Sequence, residues 1–347
     1  MDAEYLLTKF DNELRLKVLT NIWHGKSLTV STTFWGLMVN ILPEYGLYPQ
    51  VNLAQIQQTL KRRNLITEQQ PGLLVLTKAG QISKANYASQ HYLPPNQSIN
   101  LKYDLLAFKN IFLLANQAIS ELAYHNRHFY PYQIEAKQQW QIKQWLKRYP
   151  RERLIKQWQE ALHLWLATLP VKDADDFVAT LFGHQIPGKL LTDLKQKPTW
   201  TLFDKQQWQL AMFADLLVYS VNEQTIIGQL AQLAKRSLLA QSAAKTLELW
   251  QAGVSIEAIS RARQLKITTI REHLLQGVML ENWAPPAIKK LIPPLEQVKL
   301  AACFNKQSDF KHWSFEAYGS ANQPALFTYF RLWQLCAFYE ERADDRQ

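Results

Sequence analysis

The sequence predicts a mainly α-helical protein with a small β-hairpin near its amino terminus and two short helices around a tight turn in its carboxyl-terminal third. Three observations support this fold class. Apolar side chains recur at helical spacing over most of the 347 residues. A Pro-Gly pair near residue 71 separates two short apolar stretches, which is typical of a hairpin. Near residue 253, glycine and serine provide the signals with which one helix ends and the next begins.

The composition is that of a basic globular protein. Apolar residues make up 47% of the chain and charged residues 20%, so sizeable cores can form and a disordered chain is excluded. The length predicts two or three domains. A net charge of +10 favours an anionic partner, with nucleic acid the first candidate. The two cysteines, Cys303 and Cys336, exclude a disulfide framework and indicate reduced thiols.

The sequence also predicts a cytoplasmic protein. Its first residues carry acidic side chains and lack the basic stretch of a secretory signal. No apolar run reaches the ~18 uninterrupted residues that a membrane span requires. The best candidate, residues 210–221, is short and contains Asp215.

Residues 1–95 are predicted to form the first domain. Apolar spacing predicts helices over residues 5–24 and 30–42. A third helix is predicted to begin after Asn52, because an asparagine side chain can cap the first backbone N–H groups of a helix. The order predicted for this domain is therefore three helices and then the hairpin.

The hairpin follows the third helix directly. Ile66 begins its first strand, and residues 70–72 form the turn. The second strand ends at Leu76, and Thr77 can cap a further helix. Three helices followed by a small hairpin resemble the winged-helix superfamily over about residues 10–90. This resemblance implies a surface for DNA or for a protein partner, and the sequence leaves both open.

Residues 101–237 are predicted to form a helical middle domain, after a proline-rich linker at residues 91–100. Tryptophans recur there with leucines at helical intervals. The tryptophans are Trp140, Trp145, Trp158 and Trp165. Exposed rings of this kind stack on nucleic-acid bases, but the amphipathic pattern favours a buried helical core for these four.

The most specific signals lie in residues 245–277. Gly253 is predicted to end one helix in the left-handed conformation, and Ser255 to cap the next. Leu265 fills the corner of a tight turn, and a second helix with a polar outer face begins near Ile267. Two short helices joined in this way predict a helix-turn-helix.

A helix-turn-helix suggests where DNA would bind. Its second helix must enter a groove ~12 Å wide, which requires short polar or forked side chains, and its amino end can hold a phosphate. Residues 235–290 concentrate nine basic against four acidic side chains, a local charge of +5. The predicted DNA-binding residues are Arg261, Arg263, Lys266, Thr268, Thr269, Arg271, Glu272 and Gln276.

The same segment resembles the helix-turn-helix appended to RecQ-type DNA helicases. The matching positions are Ser255, Ile259, Arg263, Leu265, Thr269, Ile270, His273 and Leu274. Gln264 departs from the pattern, because the turn of this module often holds glycine. A related module ends the YpbB-type proteins of low-GC Gram-positive bacteria, and residues 326–333 resemble the segment that closes it.

The resemblance to the YpbB-type layout extends less specifically over the whole chain. It implies a carboxyl-terminal helicase-type domain over residues 238–340. It also implies a non-enzymatic DNA-binding accessory protein that works with a RecQ-like helicase in DNA replication or repair.

The sequence predicts no catalytic residue, no cofactor and no metal site. Residues 25–27 resemble the end of a phosphate loop, but Thr20 stands where that loop needs its first glycine. His125 and His128 have a spacing that some metals use, yet no cysteine or acidic cluster accompanies them. We therefore expect a protein that is not an enzyme.

Two other functions stay open. A sequence-specific transcription regulator would use the same modules, and it would usually need a dimer to read paired half-sites. A protein-interaction scaffold without direct DNA contact would use both modules to bind partners. The sequence does not determine the oligomeric state.

Overall fold

The computed structural model describes residues 1–95, 98–281, 283–304, 309–320 and 322–344. The chain divides into two compact units. The first unit comprises Met1–Lys26 and Pro43–Ser237, and the second comprises Ser27–Leu42 and Leu238–Gln347. Helices dominate both units and a small antiparallel sheet lies near the amino terminus, which confirms the predicted fold class.

The elements are numbered in chain order. The strands are β1 (Glu13–Arg15), β2 (Ile66–Gln70) and β3 (Leu73–Leu76). The α-helices are α1 (Leu16–Trp23), α2 (Val30–Met38), α3 (Leu53–Arg62), α4 (Lys78–Gln90), α5 (Leu105–Ala123), α6 (Ala136–Leu146), α7 (Arg151–Leu166), α8 (Val171–Ala179), α9 (Leu202–Asn222), α10 (Ile226–Ala231), α11 (Gln241–Gln251), α12 (Ile256–Arg263), α13 (Ile267–Leu280), α14 (Pro285–Lys289), α15 (Pro294–Phe304) and α16 (Pro324–Asp344). Short 3₁₀ helices cover Ala3–Lys9, Leu42–Glu44, Ser98–Leu101, Leu191–Asp193, Gln232–Ala234, Phe310–His312 and Phe315–Ala317.

The predicted hairpin forms, and a third strand joins it. Strands β2 and β3 pair antiparallel around a turn in which Gly72 has a φ of 80°. Strand β1 pairs with the other edge of β3, placing Leu14 opposite Leu74, and both side chains are buried. The sheet order is therefore β1-β3-β2. The sequence did not predict β1, because three residues are too few to show a period of two.

The single helix predicted over residues 5–24 is wrong. The 3₁₀ helix, β1 and α1 occupy this segment in turn. Leu6, Leu7 and Leu14 are nevertheless buried, so the apolar spacing identified core positions correctly. The apolar spacing does not show that three short elements, rather than one helix, place those side chains in the core.

The helix caps predicted around the hairpin are confirmed. The Asn52 side chain accepts a hydrogen bond from the backbone N–H of Gln55 at 3.1 Å, which begins α3. The Thr77 hydroxyl accepts one from Gly80 N–H at 3.0 Å, which begins α4. A Cβ at Gly80 would lie 1.9 Å from the carbonyl oxygen of Leu65, so only glycine allows this approach of α4 to the chain before β2.

The first unit combines residues 1–26 and 43–95, which carry the sheet, α1, α3 and α4, with the helical middle, whereas α2 lies in the second unit. Aromatic side chains from the two segments pack together: the Tyr5 and Phe203 ring centroids lie 5.0 Å apart, and those of Tyr48 and Phe203 lie 6.4 Å apart. The Tyr48 hydroxyl also donates to the Gln207 side chain at 2.8 Å, in the interior. The division into three domains at residues 1–95, 101–237 and 238–340 stays a prediction.

Helices α5, α6, α7, α9 and α10 build the helical middle, and non-helical segments separate α5 from α6 and α8 from α9. Trp145, Trp158 and Trp165 are buried, which confirms a tryptophan-rich core. The prediction is wrong for Trp140, whose side chain is 63% exposed.

The second unit is built on α13, which packs against α2, α11, α12 and α16. Helix α2 is the second helix predicted from the sequence, although it ends at Met38 and belongs to the second unit. The Thr29 hydroxyl begins α2 by accepting a hydrogen bond from Thr32 N–H at 3.1 Å. No helix in the described part of the chain has both the length and the hydropathy to cross a membrane.

Candidate nucleic-acid interface

Local signals place the helix-turn-helix where the sequence predicted it. After α11, Gly253 has a φ of 85°, and Val254 N–H donates to the Leu249 carbonyl at 3.1 Å. The Ser255 hydroxyl then accepts from Ala258 N–H at 3.2 Å and begins α12. These contacts confirm both the predicted helix end and the predicted cap.

The turn between α12 and α13 is tight, and it uses a left-handed residue. Gln264 has φ 52° and ψ 39°. A side chain in this conformation costs about 1 kcal/mol, which is why glycine is common at such a position. Leu265 N–H donates to the Ser260 carbonyl at 3.1 Å, and the Ser260 hydroxyl donates to the Leu265 carbonyl at 2.6 Å. This reciprocal pair holds the turn.

A small apolar core fixes the three helices. Ile259 of α12 and Ile270 of α13 are fully buried, and Leu247 of α11 packs with Leu274 of α13. A Cβ at Gly277 would lie 2.3 Å from a Leu247 methyl carbon, so α11 and α13 cross closely there. The close crossing sets the angle at which α13 presents its outer side chains.

The structure exposes four of the eight predicted DNA-binding residues. These are Arg261, Lys266, Thr268 and Glu272. The ion pairs formed within the described residues involve neither Arg261 nor Lys266. Lys266 precedes α13 and offers no side-chain cap, so the first backbone N–H groups of that helix still need partners. The exposed part of the helix-turn-helix therefore presents two cations, a hydroxyl and a helix amino end, with the Glu272 carboxylate one turn further along α13.

Arg263 is bound within the helix-turn-helix. Its guanidinium donates to the Ser242 carbonyl at 2.6 Å, to the Ser242 hydroxyl at 3.0 Å, and to the Thr246 hydroxyl. These bonds tie the end of α12 to α11. The sequence did not predict them, and they give Arg263 a structural role.

The Thr246 hydroxyl joins His273 to the same network. It is buried, and it lies 2.8 Å from His273 Nδ1. Burial, followed by the nearby Arg263 guanidinium, lowers the pKa of His273 below its usual value. His273 of α13 is therefore a packed histidine that is hydrogen-bonded to Thr246 of α11.

Arg271, Gln276 and Thr269, which the sequence placed on the outer face, are less exposed than predicted. All three are half-buried. The Arg271 guanidinium carbon lies 6.0 Å from the Tyr329 ring centroid on α16, and its Nε is buried. The Gln276 side chain donates to the Leu28 carbonyl at 2.8 Å. Residues distant in sequence, Tyr329 of α16 and Leu28 before α2, thus contact a face that local periodicity assigned to solvent.

A groove of about 610 Å³ runs between α2, α13 and α16. Phe34 and Phe327 line it, and the Arg331 guanidinium carbon lies 4.2 Å from the Phe34 ring centroid and 5.0 Å from that of Phe327. Glu272 reaches the same groove. Helices α2 and α16 flank α13 along this groove. DNA can therefore reach the turn and the amino end of α13 more easily than the rest of that helix. The sequence did not predict a role for Arg331.

The other sequence motifs have structural surroundings. Residues 25–27 form part of the loop between α1 and α2. His125 Nδ1 lies 2.7 Å from the Arg151 guanidinium. Asp2, His91 and Asp204 bring possible metal-ligating atoms within 4.8 Å of one another. Their oxygen and nitrogen atoms already bond to each other and to the start of α9, so this group fits a helix cap.

Comparison with known protein families supports the helix-turn-helix assignment. Residues 242–319, less than a quarter of the chain, match a family described as a helix-turn-helix domain. The match includes α11 to α13 and ends before α16. No curated protein and no solved structure matches the chain. A helix-turn-helix domain suggests DNA as a binding partner.

Proposed function

We propose that this chain is a non-enzymatic DNA-binding accessory protein that works with a RecQ-like helicase in DNA replication or repair. The observation that carries the DNA contact is the exposed surface of Arg261, Lys266 and Thr268 at the turn and the amino end of α13. Cations and backbone N–H groups in this arrangement hold phosphate oxygens.

Contact with the DNA backbone suits this surface better than base reading does. Arg271, the residue best suited to read a guanine, is half-buried against Tyr329. Helices α2 and α16 flank the rest of α13. We therefore favour an accessory protein that grips phosphates over a sequence-specific regulator, which needs several base contacts.

The DNA contact is tested with an Arg261→Gln/Lys266→Gln double variant. Because each phosphate contact releases about one counterion, the salt slope of duplex binding should fall by about 2, uniformly across DNA sequences. Fluorescence anisotropy with labelled duplex and forked DNA at several salt concentrations measures this slope. Neither the Arg261 nor the Lys266 side chain is buried, so the double variant should fold normally.

A Lys245→Gln/Lys299→Gln variant is the matched control. It removes the same charge from the second unit, from exposed lysines that pair with Glu248 and Glu296. Its salt slope should equal that of the wild type. Equal slopes for the wild type and the Arg261/Lys266 variant would reject this surface as the DNA contact and would favour the scaffold function.

The helicase partnership is supported by the resemblance of residues 255–274 to the module of RecQ-type helicases. It is tested by adding the full chain to a RecQ-like helicase during unwinding of forked DNA. We expect co-elution of the two proteins and a changed unwinding rate. Separate elution together with an unchanged rate would contradict the partnership and would leave the DNA contact standing.

A further inference from the structure

One face of α6 exposes a tryptophan to solvent. Trp140 is 63% exposed, whereas Trp145, in the same helix, is 2% exposed. Their separation of five residues places them well apart around the helix. Ile142 is buried with Trp145, so α6 packs one side against its unit and turns the side of Trp140 outward.

Lysines frame the exposed ring. Lys137, Lys143 and Lys147 are exposed. An α-helix rotates by about 100° and rises by about 1.5 Å per residue. The three lysines and Trp140 therefore lie within an arc of about 120° and within about 15 Å along the helix axis. Helix α6 contains no acidic residue. Within the described part of the chain, these three lysines take part in no ion pair.

We propose that the Trp140 face, defined by Lys137, Trp140 and Lys143 of α6 and by Lys147 directly after it, binds single-stranded nucleic acid. An indole ring stacks on a base only when the face of the base is accessible. Duplex bases are stacked on one another, and a single strand exposes them. The lysines would meet the phosphates on either side of the stacked base. The Trp140 face belongs to the first unit, and the surface of α12 and α13 belongs to the second.

The lysines also argue against a protein partner at this face. The buried centres of protein interfaces contain less lysine and more apolar surface than the rest of a protein's exterior. Here the exposed residues one helical turn from Trp140 are Lys137, Lys143 and the small Ala136. Just before α6, Tyr130 is 96% exposed, and Arg127 is exposed in the same loop. The loop before α6 therefore also exposes a ring and a cation.

The test uses the full chain with fluorescent oligothymidine and oligouridine of equal length, which separate DNA from RNA. Trp140→Ala should weaken single-strand binding roughly 5- to 150-fold, the range for one stacked base. Trp140→Phe should restore part of that loss, because a phenyl ring still stacks. A Lys137→Gln/Lys143→Gln/Lys147→Gln variant should lower the single-strand salt slope by about 2.

Leu164→Ala is the control, since Leu164 is a 51% exposed apolar residue on α7 of the same unit. It should leave binding unchanged. If the Trp140→Ala variant and the triple lysine variant both bind single strands with wild-type affinity, the proposal is overturned. A loss of self-association by these variants would not rescue it. Duplex binding by the Arg261/Lys266 variant is measured in parallel, so failure of one site is distinguishable from failure of the other.

Discussion

An Asp204→Ala variant is expected to lose about 3 kcal/mol of unfolding free energy, because several half-buried donors lose one shared, fully buried acceptor. The Asp204 side chain is fully buried at the start of α9. Its carboxylate accepts from Thr201 N–H at 2.8 Å and from Tyr92 N–H at 3.1 Å, and its Oδ2 lies 2.8 Å from His91 Nδ1. Urea denaturation followed by circular dichroism measures the loss.

Two separate effects add up at Asp204. The residue completes a capping box with Thr201, and loss of such a cap alone costs about 1 kcal/mol. The second effect is the desolvation of donors left without an acceptor, about 1–3 kcal/mol for each buried group. Tyr92 and His91 follow α4, so the same carboxylate also fixes the winged-helix-like segment to α9.

Asp193→Ala is the control for this prediction. Asp193 is an exposed aspartate in the short 3₁₀ helix before α9, where its carboxylate accepts from the neighbouring Thr192 hydroxyl. Its removal should change the unfolding free energy by no more than about 0.5 kcal/mol. Similar losses for the two variants would show that Asp204 does not hold the network described above.

The elements that could be predicted from the sequence are those with local causes. The β2–β3 hairpin follows from a Pro-Gly turn between two apolar stretches. The helix-turn-helix follows from Gly253, which takes a positive φ, and from Ser255, which caps α12. Each of these signals acts over four or five residues, so a single sequence contains all the information required.

Elements whose neighbours are distant in sequence could not be predicted in the same way. Helix α2 looks like any buried helix, and nothing in residues 30–42 indicates that it packs on α13. The strand β1 exists because β3 has a free edge. Apolar spacing shows that a residue is buried, but it does not show which core receives it.

The same limit explains the outcome at the candidate site. Helical periodicity placed Arg271 and Gln276 on the face opposite the core of α11 and α12. Helices α2 and α16 also pack on α13, and they end 229 positions before it and begin 44 positions after it. The opposite error occurs at Trp140. Its neighbours in the sequence resemble those of the buried tryptophans, so burial was predicted, but the residue is exposed.

The helix-turn-helix core gives the second large expected effect. An Ile270→Ala variant should lose about 2–5 kcal/mol of unfolding free energy, because the fully buried side chain leaves a cavity between α12 and α13. Duplex binding should weaken in the same variant as the temperature rises, since the angle of α13 depends on that core. Urea denaturation and anisotropy titrations at two temperatures measure both effects.

Ile267→Ala is the matched control, because it makes the same chemical change one turn earlier on the same helix. Ile267 is 36% exposed, so its truncation removes less buried surface and should cost below about 1.5 kcal/mol. The contrast between the two variants measures how far the turn and α13 depend on the core beneath them. Equal losses would mean that α13 is not anchored through Ile270, and that Arg261 and Lys266 are not held in place by this core.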